Sequence, residues 1–467
     1  MVKIVVVGGG LSGLAAGMLF AGDGHQVEVL ERDEAEPPDP ELAWQQWART
    51  GVRQLRLAHF FLPPFHRALA AELPSVVAAL DAAGALRMNP IDGMPSALSG
   101  GWRDGDERFE ALTGSRPMVE AVIARCAAET PGLWVRRGVA VASLHTVEGS
   151  DPVAVSGVVT SEGETITADL VVDAAGRHSA MPRMLAAAGA ATPIDEAEDS
   201  GFVYYGRAFR SDDGSLPFSF GGGLQPYGSI STLTLGADNG TWAVAFVASG
   251  RDKAMRGVRD IDTFEKVWRS YPLVAHWIDG EPLDDGVAVM GNLEDRIRHD
   301  VFDGVPVATG VVTVGDAWAC TNPSVGRGVS LGMLQLVGLR NVLREVTTDD
   351  PLALSLAWWR WRRDNVEPFY RETVRGDRHR RSQIEAAIDR SEYQTDDPVL
   401  AALDTLPGAV GHDPDLLRLW LDAFMMNRLA DDLLADPGLR ARIDALAADA
   451  EPAPGLSRDG LEALLAG

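Results

Sequence analysis

Met1-Val-Lys-Ile-Val-Val-Val-Gly8-Gly-Gly10-Leu11-Ser12-Gly13-Leu-Ala-Ala, followed by Gln26-Val-Glu-Val-Leu-Glu31-Arg32, decides the fold of this chain. Residues 3–7 are dominated by β-branched apolar side chains, the pattern of a strand covered on both faces. Gly8, Gly10 and Gly13 follow in G-x-G-x-x-G spacing, and small residues continue to Ala21 as a helix. In such a turn the first glycine permits the sharp reversal, the second lets backbone approach a pyrophosphate, and the third lets helix pack on strand. The pyrophosphate then meets free N–H groups, including those at Leu11 and Ser12, and the positive end of the helix dipole. A second apolar strand ends at Glu31, 18 positions after Gly13, where an acidic side chain accepts hydrogen bonds from a ribose. Strand, glycines, helix, strand and acid in this order predict a dinucleotide site.

The bulk numbers describe an ordinary soluble enzyme, with 467 residues, 46% hydrophobic and 23% charged. A formal net charge of −25 excludes nucleic acid and anionic membrane as main partners, because both would repel the chain. Cys126 and Cys320 are the only cysteines, too few for a disulfide framework, which suits a reducing cytoplasm. There is no signal-peptide pattern and no apolar run long enough to span a bilayer. The nine histidines form no ligand-spaced cluster with cysteines or acids, so no metal site is expected.

Along the chain, residues 33–52 read as a Pro- and acid-rich surface connection. Ser115-Arg116-Pro117 opens a helix with Ser115 as its N-cap, and strands are expected at 134–145, which includes Val141, at 153–160 and at the end of 165–173. Between 200 and 250, Phe202, Tyr204, Tyr205, Phe209, Phe218, Phe220, Trp242 and Phe246 lie in β-rich segments broken by the glycines at 221–223. These predict an inserted antiparallel sheet, most of its aromatics in the core and some in an apolar pocket wall. From about 350 the chain is helical. Its amphipathic stretch Leu417–Leu434 reads either as a helix packed back on the sheet lobe or as a homodimer face.

A second motif is Gly315-Asp316-Ala-Trp318-Ala-Cys320-Thr-Asn-Pro323-Ser-Val-Gly326-Arg327-Gly328-Val329-Ser330. A buried strand feeds Asp316, which can hold the hydroxyls of a sugar-like chain, and a helix then opens toward a group that gains negative charge. With Asp173-Ala-Ala175-Gly176 between the two, the chain resembles the FAD-dependent monooxygenases of the para-hydroxybenzoate hydroxylase class over residues 1–345. It looks closest to the branch near polyene epoxidases, flavin halogenases and geranylgeranyl reductases. It departs from the common pattern in Ala174-Ala175, where Asp-Gly is usual, and in Arg327 and Ser330, where Gln and Asn are usual.

The resemblance implies an α/β architecture: a Rossmann-like FAD-binding domain (1–85, 110–190 and 290–345), an inserted antiparallel β-sheet substrate lobe (86–109 and 191–289) and a helical C-terminal region (346–467). It implies tightly bound, non-covalent FAD. Gly8, Gly10, Leu11, Ser12, Gly13, Glu31, Arg32, Val141, Ala175 and Gly176 would lie on the nucleotide side, and Arg116 at the pyrophosphate. Gly315, Asp316 and Pro323 would lie along the ribityl chain, and Gly326, Arg327, Gly328, Val329 and Ser330 at the flavin ring. Arg53, in Gly51-Val-Arg53-Gln-Leu-Arg56-Leu-Ala-His59, would touch the cofactor.

The implied reaction hydroxylates or epoxidises an apolar small molecule through a flavin C4a-hydroperoxide. Electrons would come from NADPH, bound transiently, or from a separate flavin reductase. His59 reads as either a half-buried structural histidine or a proton donor, and Trp318 as either core or pocket wall. Two rivals stay open, a double-bond reductase and a non-catalytic flavin binder. The halogenase reading is weakened because Trp359-Arg-Trp361-Arg-Arg does not complete a Trp-x-Trp-x-Ile-Pro motif.

Overall fold

The computed structural model describes residues 1–52, 54–219 and 223–466. One half is a five-stranded parallel sheet in the order Val311–Thr313, Leu170–Asp173, Lys3–Val7, Gln26–Glu31, Leu133–Arg137. Ile4, Val5 and Val6 in the central strand are fully buried, as the β-branched run requires of a strand covered by helices on both sides. Helix Leu11–Gly22 returns the chain across this sheet. A Cβ on Gly13 would fall 1.8 Å from the carbonyl oxygen of Gly8, and one on Gly8 (φ +107°) would fall 2.6 Å from that of Ala174. No side chain fits at either position, so helix, first strand and the strand ending at Asp173 converge on one point.

The second layer is a six-stranded antiparallel sheet, with Leu224–Tyr227, Ile230–Gly236, Thr241–Ser249, Phe202–Arg210 and Glu281–Pro282 in line and Ala288–Met290 also on Phe202–Arg210. Alternation along Phe202–Arg210 divides its aromatics. Tyr205 and Phe209 join Trp242, Phe246, Trp268 and Tyr271 in one core, while Phe202 and Tyr204 face the opposite side with Leu233 and Ile384. Phe218, expected in the sheet, is instead 71% exposed in the loop after it, and Phe220 with Gly221 and Gly222 lies outside the described residues. A three-stranded sheet of Ile194–Asp199, Glu294–His299 and Ala319–Cys320 joins the two layers.

Two stretches differ from their sequence reading. Residues 33–52 are not a surface connection throughout, since Trp47 and Arg49 are buried. Leu417, Leu421 and Met425 are buried against Ile91 and Phe109, which removes them from any dimer face. There Arg418 grips Asp106 with two hydrogen bonds of 2.8 and 2.6 Å, in a buried pair. Ser115 does precede helix Arg116–Ala128, but its side chain caps nothing.

The helical tail begins on the parallel sheet. Trp358 and Trp361 stack at 5.6 Å, and the Trp358 indole N–H donates to the Thr313 carbonyl at 3.2 Å. The Trp361 ring lies flat on Gly338 of helix Gly328–Glu345, where a Cβ would come within 2.2 Å of a ring carbon. Gly338→Ala is therefore expected to cost about 1–3 kcal/mol through overpacking, read as a lower urea midpoint with an unchanged slope. A wild-type midpoint would show that the ring moves freely.

Candidate functional site

At the carboxyl end of the parallel sheet the first helix presents its unpaired N–H groups, and beside Gly10 no heavy atom would touch an added Cβ. The Glu31 carboxylate is buried and fixed. One oxygen accepts from the Gly9 N–H and from Arg49, both at 2.8 Å, and the other accepts from the Asp33 N–H at 2.9 Å. Arg49 continues to Glu120 (2.7 Å), Glu120 to the Arg116 Nε (2.7 Å), and an Arg116 Nη to the His59 Nε2 (3.2 Å). Burial alone would raise the Glu120 carboxyl, but Arg116 and Arg49 hold it below its ordinary range. Sequence reading missed Arg49, whose segment carries no periodicity that would mark a buried cation.

This network assigns the protonation state of His59. Its Nδ1 lies 2.8 Å from the Leu57 carbonyl, which only accepts, and its Nε2 faces a guanidinium, which only donates. The ring is therefore neutral, with its proton on Nδ1. Loss of hydration first, and the Arg116 cation second, lower its pKa to about 4. A ring held in this way donates no proton from Nε2 at neutral pH, so His59 reads as structural. Of the other expected cofactor-binding residues, Arg32 is exposed and reaches over Gly51, and Arg53, expected beside the flavin, lies outside the described residues. Val141 is half-buried in strand Val141–Val147, beside a small core that includes Val158.

Across the cradle, the Gly315 N–H donates to the buried Gln335 side chain at 2.9 Å, so helix Gly328–Glu345 fixes the turn that precedes it. The Ser12 Oγ lies 3.1 Å from the ideal Cβ position of Gly315 and 3.3 Å from that of Gly332, which brings the two helix starts together. Arg296 and Arg298 hold the turn from behind. Arg296 donates to the carbonyls of Arg177 (2.8 Å) and Asp316 (3.3 Å), and Arg298 to that of Ala317 (2.8 Å). The Asp316 carboxylate, half-buried, makes no hydrogen bond or ion pair among the described residues. The Ser330 Oγ in the first turn of the second helix is buried and has no hydrogen-bond partner among the described residues.

Asp173 is fully buried, and burial raises its pKa. It accepts from the Ala175 N–H (3.1 Å) and the Ser179 hydroxyl (2.6 Å), thereby shaping the turn at Ala175 and Gly176. Of the expected ring-side residues, Gly326, Gly328 and Val329 follow Pro323 in one turn, but the Arg327 side chain leaves the cradle for the helical tail.

A cavity opens between this turn and the large sheet, walled mainly by apolar side chains such as Leu57, Leu233, Met290 and Pro323, with Tyr204, Arg56, Arg207 and Asp284 as its polar lining. Tyr204 donates to the Asn322 side chain at 2.8 Å, and the Asn322 N–H donates to Asp295 at 2.6 Å. Burial pushes the Asp295 carboxyl up to about 6. Trp318 is not in this wall. It is buried with Leu62, Leu331 and Tyr370, with the Arg362 guanidinium 4.8 Å from its ring centre. Cys320 is packed as expected, its thiol pushed up to about 11 by burial. Among the described residues no group of acids, histidines and cysteines is arranged to hold a metal ion, and no helix is long and apolar enough to cross a membrane.

No protein-family profile matches the chain. Among curated proteins it is 25% identical over 352 residues to the protein Rv3254 of Mycobacterium tuberculosis, covering 73% of this chain and 72% of that one. Among solved structures it superposes on PqsL, a probable FAD-dependent monooxygenase from Pseudomonas aeruginosa. The TM-score is 0.60 at 16% identity, covering 83% of this chain and 99% of PqsL. The fold is that of the FAD-dependent monooxygenases. The flavin-dependent halogenase CmlS shares it, with a TM-score of 0.62 at 17% identity over 92% of this chain and 77% of CmlS. In this fold the tryptophans at 358 and 361 are structural, since they pack the tail helix Pro351–Asn365 on the nucleotide side.

Two measurements test the buried network. Arg49→Leu removes one charged partner from each of Glu31 and Glu120, leaving Glu31 its two backbone N–H donors and Glu120 its Arg116, and should cost about 1.5–3 kcal/mol in chemical denaturation. A loss below about 1 kcal/mol would show that water screens them. The His59 ring should titrate near 4 by NMR, and higher in Arg116→Gln. Its folded pKa lies below the ordinary 6.5, so the unfolded chain takes the proton first. His59 therefore removes stability as pH falls from about 6.5 to about 4. A midpoint at 6.5 or above would overturn the assigned tautomer.

Proposed function

We propose that this protein is a flavoprotein monooxygenase that hydroxylates or epoxidises an apolar small molecule. The observation that carries the reading is the pairing of two helix N-termini, with an unpartnered Asp316 between them, beside a mainly apolar cavity that shares Pro323 with the same turn. The cradle suits FAD on three counts: open backbone at Gly10, a free carboxylate for ribityl hydroxyls, and an orphaned Ser330 hydroxyl under the ring-side turn. Bound and reduced, FAD supplies the oxygen-activating chemistry.

The chain's own residues bind, orient and exclude water. The first helix and Gly10 take the pyrophosphate. Glu31, held by Arg49 and the Gly9 N–H, faces the adenosine ribose. The amides at 326–328 favour a ring edge that gains negative charge. Leu57, Ala58, Leu233 and Met290 give the adjoining cavity a mainly apolar wall that would limit water beside the ring and favour an apolar substrate body. Arg56, Arg207 and Asp284 in the same lining would meet a polar group on it. NADPH would deliver electrons without a Rossmann lobe of its own, or a separate flavin reductase would deliver them.

The test begins with the visible spectrum of the purified protein, then anaerobic NADPH, then air with candidate substrates. A bound flavin that NADPH bleaches, with oxygen uptake coupled to an oxygenated product, is the expected result. Asp316→Ala should weaken FAD binding at least about tenfold, the scale of one lost charged hydrogen bond. Flavin that only a partner reductase can reduce would move the electron source. Reduction of a substrate double bond without oxygen uptake, or no flavin after reconstitution, would overturn the proposal.

A further inference from the structure

Arg327 stands in the ring-side turn, yet its side chain makes its contacts elsewhere. It is buried, with one Nη 2.9 Å from Glu372 and 3.1 Å from the Thr373 hydroxyl, and the other donating to the Ala423 carbonyl at 3.1 Å. The second oxygen of Glu372 accepts from the Ala430 N–H at 2.6 Å. One guanidinium thus joins the turn to the second turn of helix Glu367–Asp389, to the end of helix Pro414–Phe424 and, through Glu372, to the start of the next short helix. At the other end of the same turn, the Asn322 side chain donates to Asp377 at 3.2 Å, one helical turn after Thr373. A single tail helix therefore clamps the turn at both ends.

We infer that Arg327 is a positioning residue, through which the helical tail sets where the backbone amides of residues 326–328 point and so becomes part of the flavin site. The inference rests on the proposed function in one respect, that the flavin ring lies at this turn. The Arg327 charge is spent on Glu372, both side chains being 8% exposed, so it offers the ring no free cation. What the ring would meet is the amide array, and its direction depends on three hydrogen-bonded anchors more than 40 residues away in sequence. A glutamine cannot reproduce them, having one short fork of mixed donor and acceptor where five donors stand.

The experiment compares Arg327→Gln, Arg327→Lys and Arg375→Gln in the full chain. Arg375 ties the same helix to Asp431 and Asp397 at 2.9 and 3.5 Å, and its charge also reaches Glu372. Among the described residues it makes no hydrogen bond to the turn, so it reports loosening of the tail around the same carboxylate without removal of an anchor on the turn. The readouts are visible circular dichroism of the bound flavin, the FAD release rate, and amide hydrogen exchange over 322–328 and 423–430. In Arg327→Gln we expect an altered flavin dichroism, FAD release at least about tenfold faster and faster exchange in both segments. Arg327→Lys should recover part of each, and Arg375→Gln should keep the wild-type flavin signature.

Wild-type dichroism and release in Arg327→Gln would overturn the inference, as would Arg375→Gln changing the flavin just as much. If the wild-type chain holds no flavin, the proposed function fails by itself. Exchange over 322–328 then decides the coupling alone, faster in Arg327→Gln if it exists and unchanged if it does not. Should Arg327→Gln fail to fold, Arg327→Lys carries the same comparison.

Discussion

Gly13 lies so close to the Gly8 carbonyl that no Cβ fits between them, and the missing side chain lets helix Leu11–Gly22 touch the first strand. That approach aims the helix N-terminus at the carboxyl edge of the parallel sheet, where Glu31, Asp173 and the strand leading to Gly315 also end. A side chain at either glycine would move the helix, and with it the amides at its N-terminus. Everything else in the cradle is referenced to that contact. Ser12 of the helix sits against Gly315 and Gly332, so the second helix inherits its position from the first.

Charge does in this protein what a larger core would do elsewhere. Arg49, Arg296, Arg298, Arg327, Arg362 and Arg418 are all buried, and each binds carbonyl groups or carboxylates that the fold would otherwise leave unpaired. Such pairs contribute little net stability compared with apolar replacements of the same volume. What they provide is a unique arrangement, because a bidentate fork accepts only one geometry. Around the cradle this means that turns, which have no ladder of their own, are held from behind by side chains of neighbouring strands and helices.

The first strand–helix–strand unit and the second motif were legible because both are local: glycines at fixed spacing, a buried β-branched run, an acid at the strand end. The antiparallel sheet was legible from its alternating aromatics, and Tyr204 does line the cavity. Arg49, Gln335 and Arg296 were not legible. Their partners lie 18, 20 and 119 residues away, and nothing in their own segments marks them as buried. Arg327 was noticed only as a departure from the common glutamine, and its direction could not be read because its anchors belong to tail helices whose placement no local pattern encodes. His59 shows the same limit in reverse, since a histidine beside aromatics invites a catalytic reading that only the facing Arg116 removes.

The shared fold does not select the chemistry, because a monooxygenase and a halogenase superpose on this chain equally well. Selection has to come from the cavity wall and from the turn beside it. Here the wall is mainly apolar, with Arg56, Arg207 and Asp284 also lining it, and Tyr204 is tied through Asn322 to Asp295 and Asp377. The same asparagine is one end of the turn that the tail clamps. The cavity wall and the 322–328 turn are therefore mechanically one piece in this protein, joined at Asn322 and backed by helix Glu367–Asp389. That joint explains why a helical tail, far in sequence from either glycine motif, is packed against the turn rather than appended to the outer surface.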